Sequence, residues 1–216
     1  SCGVGFVCNI NGEKSNIIIK QGLEVLKRLS HRGATGADPK TGDGAGILIQ
    51  MPHKFFLKAA CASKIDLPAY GEYGSGLCFL PRGREEKEFI KRVFGEVTAQ
   101  EGQVLLGWRK VPTDNSGIGK TARETEPDIE QVFIAKSKGP ADQLVFERKL
   151  YCIRKKVETL IRESKLKNKS FFYITNISSR TFSYKGLLMP CQVDNFFVDL
   201  KDEEMLSSIC LVHSRY

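Results

Sequence analysis

Apolar positions along this chain change period repeatedly, and the changes mark out its elements. Residues 3–10 alternate weakly in a run rich in Val, Phe and Ile, which predicts a strand closed by the turn signal Asn11-Gly12. The period then becomes helical. Ser15 is placed to cap a helix running to about Leu29, with Ile18, Gly22, Val25, Leu26 and Leu29 on one face and Gly33 as a left-handed cap. Residues 33–46 break all periodicity with five glycines in GATGADPKTGDGAG. Ile47–Met51 reads as a buried strand, Pro52 opens a short helix to about Ser63, and Gly76–Leu80 is again a strand.

Residues 84–100 predict an amphipathic helix with Phe89, Ile90, Val93, Phe94 and Val97 inward. Strands follow at Val104–Val111 and Ile129–Ala135, separated by a polar excursion over 112–126. The longest helix is expected from Ala141 to about Lys167, its core face formed by Leu144, Val145, Leu150, Ile153, Val157, Leu160 and Ile161. Phe171–Ser178 and Thr181–Met189 read as paired strands, Pro190-Cys191 as a break, and Ser208–Tyr216 as a last strand. Runs of adjacent strands between helices favour an α+β fold, a mixed or antiparallel sheet on helices rather than a doubly wound parallel one. The sequence contains no internal repeat and no linker, so residues 1–216 read as one domain.

Composition narrows the class. With 41% hydrophobic and 27% charged residues the chain matches soluble globular proteins. It lacks an apolar run long enough for a membrane span and an N-terminal signal-peptide pattern. Its net charge is +8, but Lys and Arg at 82–92 and 148–169 alternate with helix-period apolar residues, as on solvated helix faces. Nothing in them resembles a base-stacking platform, so no nucleic-acid partner is expected. Seven cysteines at irregular spacing, none in a C-x-x-C pair, favour reduced thiols and a cytoplasmic setting. Cys8, Cys61, Cys78, Cys152, Cys191 and Cys210 lie in apolar segments and are expected to be buried and inert.

Candidate chemistry concentrates at the ends. Cys2 lies one residue from the amino terminus, and a thiol beside a free α-amine forms a compact nucleophile–base pair. Arg215 is the strongly basic group in an apolar terminal strand, where its fork can clamp a carboxylate. The glycine loop over 33–46 is suited to a required backbone geometry near a ligand. Asn115–Thr121 suggests a phosphate-binding loop, but the pattern needs glycine where Asp114 stands, and no buried strand leads in. His31, His53 and His213 have no metal-binding company, so no metal is expected.

Several stretches, taken together, carry a resemblance to a known family. These are Cys2-Gly3-Val4-Gly5-Phe6, Leu29-Ser30-His31-Arg32-Gly33, the run Gly36 to Gln50, Gly107 to Thr113, Glu130 to Phe133, Tyr184 to Pro190 and His213 to Tyr216. In order and content they resemble the N-terminal class II glutamine amidotransferase domain of the glutamate synthase large subunit. Other class II amidotransferases share a shorter pattern without the Ala37–Thr41 segment.

The resemblance implies an N-terminal-nucleophile hydrolase, a four-layer αββα sandwich, here incomplete at its C-terminus. It implies a glutaminase: the Cys2 thiolate attacks the side-chain amide of L-glutamine, with its α-amine as base. Gly3 would leave room for the tetrahedral centre, Arg32 would hold the nucleophile, and Arg215 would bind the substrate α-carboxylate. The ammonia would pass to a synthase domain or subunit carrying FMN and served by an iron–sulfur cluster, which forms glutamate from 2-oxoglutarate. No cofactor is implied for this domain itself. Two departures qualify the likeness. Ser1 precedes Cys2, which turns the α-amine into an amide. The family's oxyanion-hole Asn-Gly pair and its amine-binding aspartate would lie beyond Tyr216. The alternative reading is an inactive structural or partner-docking module of the same fold.

Overall fold

The structure, a computed structural model, describes residues 3–32, 38–137 and 142–215, with Arg32 described by its backbone. In chain order the elements are β1 (Gly3–Cys8), α1 (Asn16–Arg28), β2 (Ala45–Gln50), α2 (His53–Ala62), β3 (Tyr73–Leu80), α3 (Arg84–Gln100) and β4 (Val104–Lys110). They continue with α4 (Lys120–Glu124), β5 (Asp128–Ala135), α5 (Gln143–Glu163), β6 (Tyr173–Ile174), β7 (Thr181–Gly186), α6 (Val193–Phe196) and β8 (Ile209–Ser214). The strands form two four-stranded sheets, ordered β1-β8-β2-β7 and β4-β5-β3-β6. The pairings of β8 with β1 and β2, and of β5 with β3 and β4, are antiparallel. The fold is α+β, and the components of the expected sandwich are present as two sheets, each with helices of its own.

The chain divides into two compact units. One comprises Ser1–Phe55, Val111–Glu126 and Ser183–Tyr216; the other comprises Phe56–Lys110 and Pro127–Phe182. In the first, α1 lies against one face of its sheet, burying Ile18, Ile19, Gly22, Leu23 and Leu26. The helix approaches β8 so closely that a Cβ on Gly22 would lie 2.9 Å from the Cβ of Cys210 and nearer still to its sulfur. Alternation in β1 sends Val4, Phe6 and Cys8 to the opposite side, where Val4 is 68% and Phe6 66% exposed.

The second unit has the deeper core. Every residue of β3 is buried. Cys78, Val132 and Ile134 meet Phe94 of α3 and Leu150, Ile153 and Val157 of α5 in one apolar cluster. Phe94 stands edge-on to Trp108 at 5.0 Å between centroids. The basic stretches of this unit are engaged with carboxylates. Lys87 pairs with Asp128, Lys91 with Glu130, Lys149 and Lys156 with Glu101, and Arg154 and Lys155 with Glu158.

Some sequence expectations change. Cys8, Cys61 and Cys191 are exposed and Cys152 is half-buried; only Cys78 and Cys210 of the described cysteines are buried. The apolar helical segments holding Cys61 and Cys152 present them on the outer side, and alternation does the same to Cys8 in β1. Leu150, Ile153, Val157 and Ile161 of α5 are buried as expected and Phe146 joins them, whereas Leu144, Val145 and Leu160 are exposed because they fall outside the strip those five residues form. The strand expected over 171–178 shrinks to Tyr173–Ile174, preceded by a single 3-10 turn at Lys169–Phe171. Gly33, the expected helix cap, lies outside the described residues.

Candidate functional site

Register brings the candidate residues of the first unit to one end of its sheet. Gly3, the first residue of β1, is buried and faces Ser214 of β8; Ser214 in turn faces Ala45, the first residue of β2. The start of β1, the end of β8 and the start of β2 therefore lie side by side. The 3-10 turn Leu29–Arg32, which follows α1, touches both β1 and β8. Arg32 closes that turn. Cys2 lies outside the described residues, and the chain enters β1 directly after it.

Arg215 leaves β8 with φ of +85°, a left-handed conformation uncommon for a side chain of this kind. Two neighbouring residues fix it. Its backbone N–H donates to the carbonyl of Gly44 at 2.7 Å, and its Nε donates to Oδ2 of Asp43 at 2.9 Å. Arg215 and Asp43 keep 44% and 32% of their side-chain surface, so the pair sits at a rim rather than in a core. His213, half-buried in β8, has its pKa lowered chiefly by desolvation, with the Lys185 charge adding to the effect; the Arg215 carbonyl at 3.4 Å from Nδ1 opposes it. The imidazole is thus held toward its neutral form.

From Asp38 onward, the glycine-rich loop is bound to the rest of its unit by a dense set of polar contacts. Asp38 accepts at Oδ1 from the Lys40 N–H (3.0 Å) and at Oδ2 from the Thr41 hydroxyl (2.8 Å) and the Thr121 N–H (3.2 Å). These bonds favour the carboxylate, so the pKa of Asp38 lies below its ordinary value, with the Lys40 N–H the largest cause. Buried Gln192 donates to the carbonyls of Lys40 (2.9 Å) and Gly117 (3.0 Å) while its oxygen accepts from the Met189 N–H (2.7 Å). A side chain at Gly119 would run into the Asp38 carboxyl group, its Cβ 2.7 Å from Cγ. The segment resembling a phosphate loop is therefore closed by the protein's own carboxylate: Asp38 occupies the amino end of α4, where a phosphate would otherwise sit.

Sequence reasoning named Gly3, Arg32 and Arg215 as candidates; the fold sets Gly3 and Arg215 at one end of the sheet and the turn that ends in Arg32 against β1 and β8. The same reasoning missed Asp43 as the partner of Arg215 and Gln192 as the tie between three segments. No spacing rule finds either, because their partners are distant in sequence; the glycines flanking Asp43, which mark a constrained backbone, were the available signal. Among the described residues no three His, Cys, Asp or Glu side chains converge in a metal-binding group. No helix of the described residues is long and apolar enough to cross a membrane.

Comparison with known proteins adds an independent line. A family model described as glutamine amidotransferases class-II matches residues 2–216. The large chain of the NADPH glutamate synthase of Bacillus subtilis is 44% identical over 216 residues, covering 100% of this chain and 14% of that protein. The NADH glutamate synthase of Schizosaccharomyces pombe is 41% identical over 221 residues, covering 100% of this chain and 10% of that one. A chloroplastic ferredoxin-dependent glutamate synthase of Oryza sativa is 36% identical over 217 residues, covering 100% of this chain and 13% of that one. The chain thus spans between 10% and 14% of the length of these relatives.

Proposed function

The chain belongs to the class-II glutamine amidotransferases, and from that premise we propose that it is the glutaminase part of a glutamate synthase. The Cys2 thiolate attacks the side-chain amide carbon of L-glutamine after its proton passes to the α-amine of the same residue. As the C–N bond breaks, that proton goes to the leaving nitrogen, ammonia departs and a glutamyl thioester remains. Water adds to the thioester carbon, the C–S bond breaks, and glutamate leaves with the thiol restored. An amide nitrogen has no basic lone pair, so this route needs Cys2 with its α-amine free of Ser1. Arg215 binds the α-carboxylate through its fork, Arg32 steadies the nucleophile, and Gly3 leaves space at the tetrahedral centre.

The observation that carries this reading is the register Gly3–Ser214–Ala45, which sets the strand following Cys2 beside the strand that leads into Arg215. The ammonia is used by a synthase domain or subunit that bears FMN and an iron–sulfur cluster and forms glutamate from 2-oxoglutarate, in a cytoplasmic setting. The test is made on the full-length protein. L-glutamine should be hydrolysed, and a glutamine-analogue diazoketone should label Cys2 alone among the seven cysteines. Cys2→Ala should lower glutamine hydrolysis by about 10³-fold or more. Labelling spread over several cysteines, or hydrolysis untouched by Cys2→Ala, would refute the proposal and favour a docking module.

A further inference from the structure

We propose that Asp43 is a positioning residue for substrate capture: by holding the Nε edge of Arg215 it sets the direction in which the guanidinium meets the substrate carboxylate. This rests on the reading of Arg215 given above and adds to it the residue that aims it.

The argument starts from the backbone. Gly42 passes so close to the Leu188–Met189 peptide that a Cβ there would lie 2.5 Å from its atoms. Gly44 follows at φ of +126°, and its carbonyl takes the N–H of Arg215. Asp43 is held between two glycines whose conformations are imposed by their neighbours, immediately before β2. Arg215 is held from the other side by the end of β8 and by its own left-handed turn. The 2.9 Å contact between Nε and Oδ2 therefore joins two anchored backbones, and a planar guanidinium held at Nε has lost its rotation about the last side-chain bonds.

Stability does not account for this arrangement. A rim pair whose side chains keep 44% and 32% of their surface sits in high dielectric and contributes little to folding. The pair's geometry is nonetheless built from a positive-φ arginine and a positive-φ glycine. Pre-orientation of a carboxylate-binding fork is a function such a pair can serve, since a side chain ordered in advance loses less entropy on binding.

Three amides separate the possibilities on the full-length protein: L-glutamine, glutaramate (carboxylate without ammonium) and 4-aminobutanamide (ammonium without carboxylate). Asp43→Ala should raise KM for L-glutamine and for glutaramate by about tenfold, with kcat little changed and 4-aminobutanamide unaffected. Asp43→Asn keeps an oxygen to accept the Nε–H and should recover most of the loss. Thermal unfolding of both variants should stay close to that of the parent protein. An equal loss on all three amides would mean a merely structural role and would overturn the proposal. A loss on L-glutamine and 4-aminobutanamide with glutaramate spared would overturn it too, making Asp43 an ammonium contact. A lower KM in Asp43→Ala would do the same, making Asp43 a competitor of the substrate. If the parent protein hydrolyses none of the three amides, the glutaminase reading itself fails and this inference falls with it; the parent measurement tells the two failures apart.

Discussion

The two units of the chain use the same elements to different ends. In the second unit, β3 is buried along its whole length and α3 and α5 close over it, with basic residues of both helices held in ion pairs. In the first, α1 also buries an apolar face on its sheet, but the loops at the sheet's end are held by polar ties between segments distant in sequence and by close glycine contacts. Asp38 and Gln192 tie those loops in place, and the Asp43–Arg215 pair sets the direction of one side chain at the rim. Apolar burial is non-directional and tolerates small shifts, whereas a hydrogen-bonded loop is fixed in orientation. A unit built the second way suits chemistry that needs a guanidinium aimed within a few degrees. A unit built the first way suits a scaffold.

The contrast breaks most readily in the scaffold. Leu150→Ala deletes a fully buried side chain in α5 and should destabilise the protein by about 2–5 kcal/mol, read by denaturant unfolding. At temperatures where the variant is folded, KM for glutamine should be unchanged; a changed KM would mean that the core does more than support. Gly22→Ala tests the first unit's close packing. Alanine improves helix propensity by about 1 kcal/mol, but its Cβ would be driven into Cys210. We expect a net loss of about 1–3 kcal/mol, relieved in part when Cys210 is also made Ala, since that removes the sulfur but leaves the 2.9 Å Cβ–Cβ approach.

The mildest effect is sought at Asp38. Its pKa is lower in the folded protein than the ordinary value of 3.8. A depressed carboxylate stabilises the fold at every pH above that ordinary value, and the gain is lost as pH falls from 3.8 through the depressed folded value. Asp38→Asn should therefore make unfolding less dependent on pH in that acid window, as seen in pH titration of the unfolding midpoint. An unchanged acid slope would remove Asp38 from the ties that define the first unit.

Much of the fold is legible in the chain. The helical period located α1, α3 and α5 to within a few residues, and apolar runs located β2, β5 and β8. Where the reading failed, the cause was local. Tyr73-Gly-Ser-Gly does not look like a strand, yet β3 begins at Tyr73 because β5 pairs with it from end to end. Leu144, Val145 and Leu160 were read as core beside Leu150, but a helix buries the side its neighbours dictate, and Phe146 took the remaining place on that face. At the site, residue type and position singled out Arg215. Its partner Asp43 was hidden, because the link between them is made by the pairing of β2 with β8 and by no sequence pattern.

The left-handed turn at Arg215 has a bearing on any attempt to improve this protein. Glycine adopts such a φ without strain, so replacing Arg215 by Gly would relax the backbone by about 1 kcal/mol while deleting the guanidinium. A library screened for thermal tolerance would enrich that substitution; under the role proposed for Arg215, a library screened for growth on glutamine-derived nitrogen would discard it. At this one position the two selections point in opposite directions, so a consensus built from stability data alone would misread which residue belongs there.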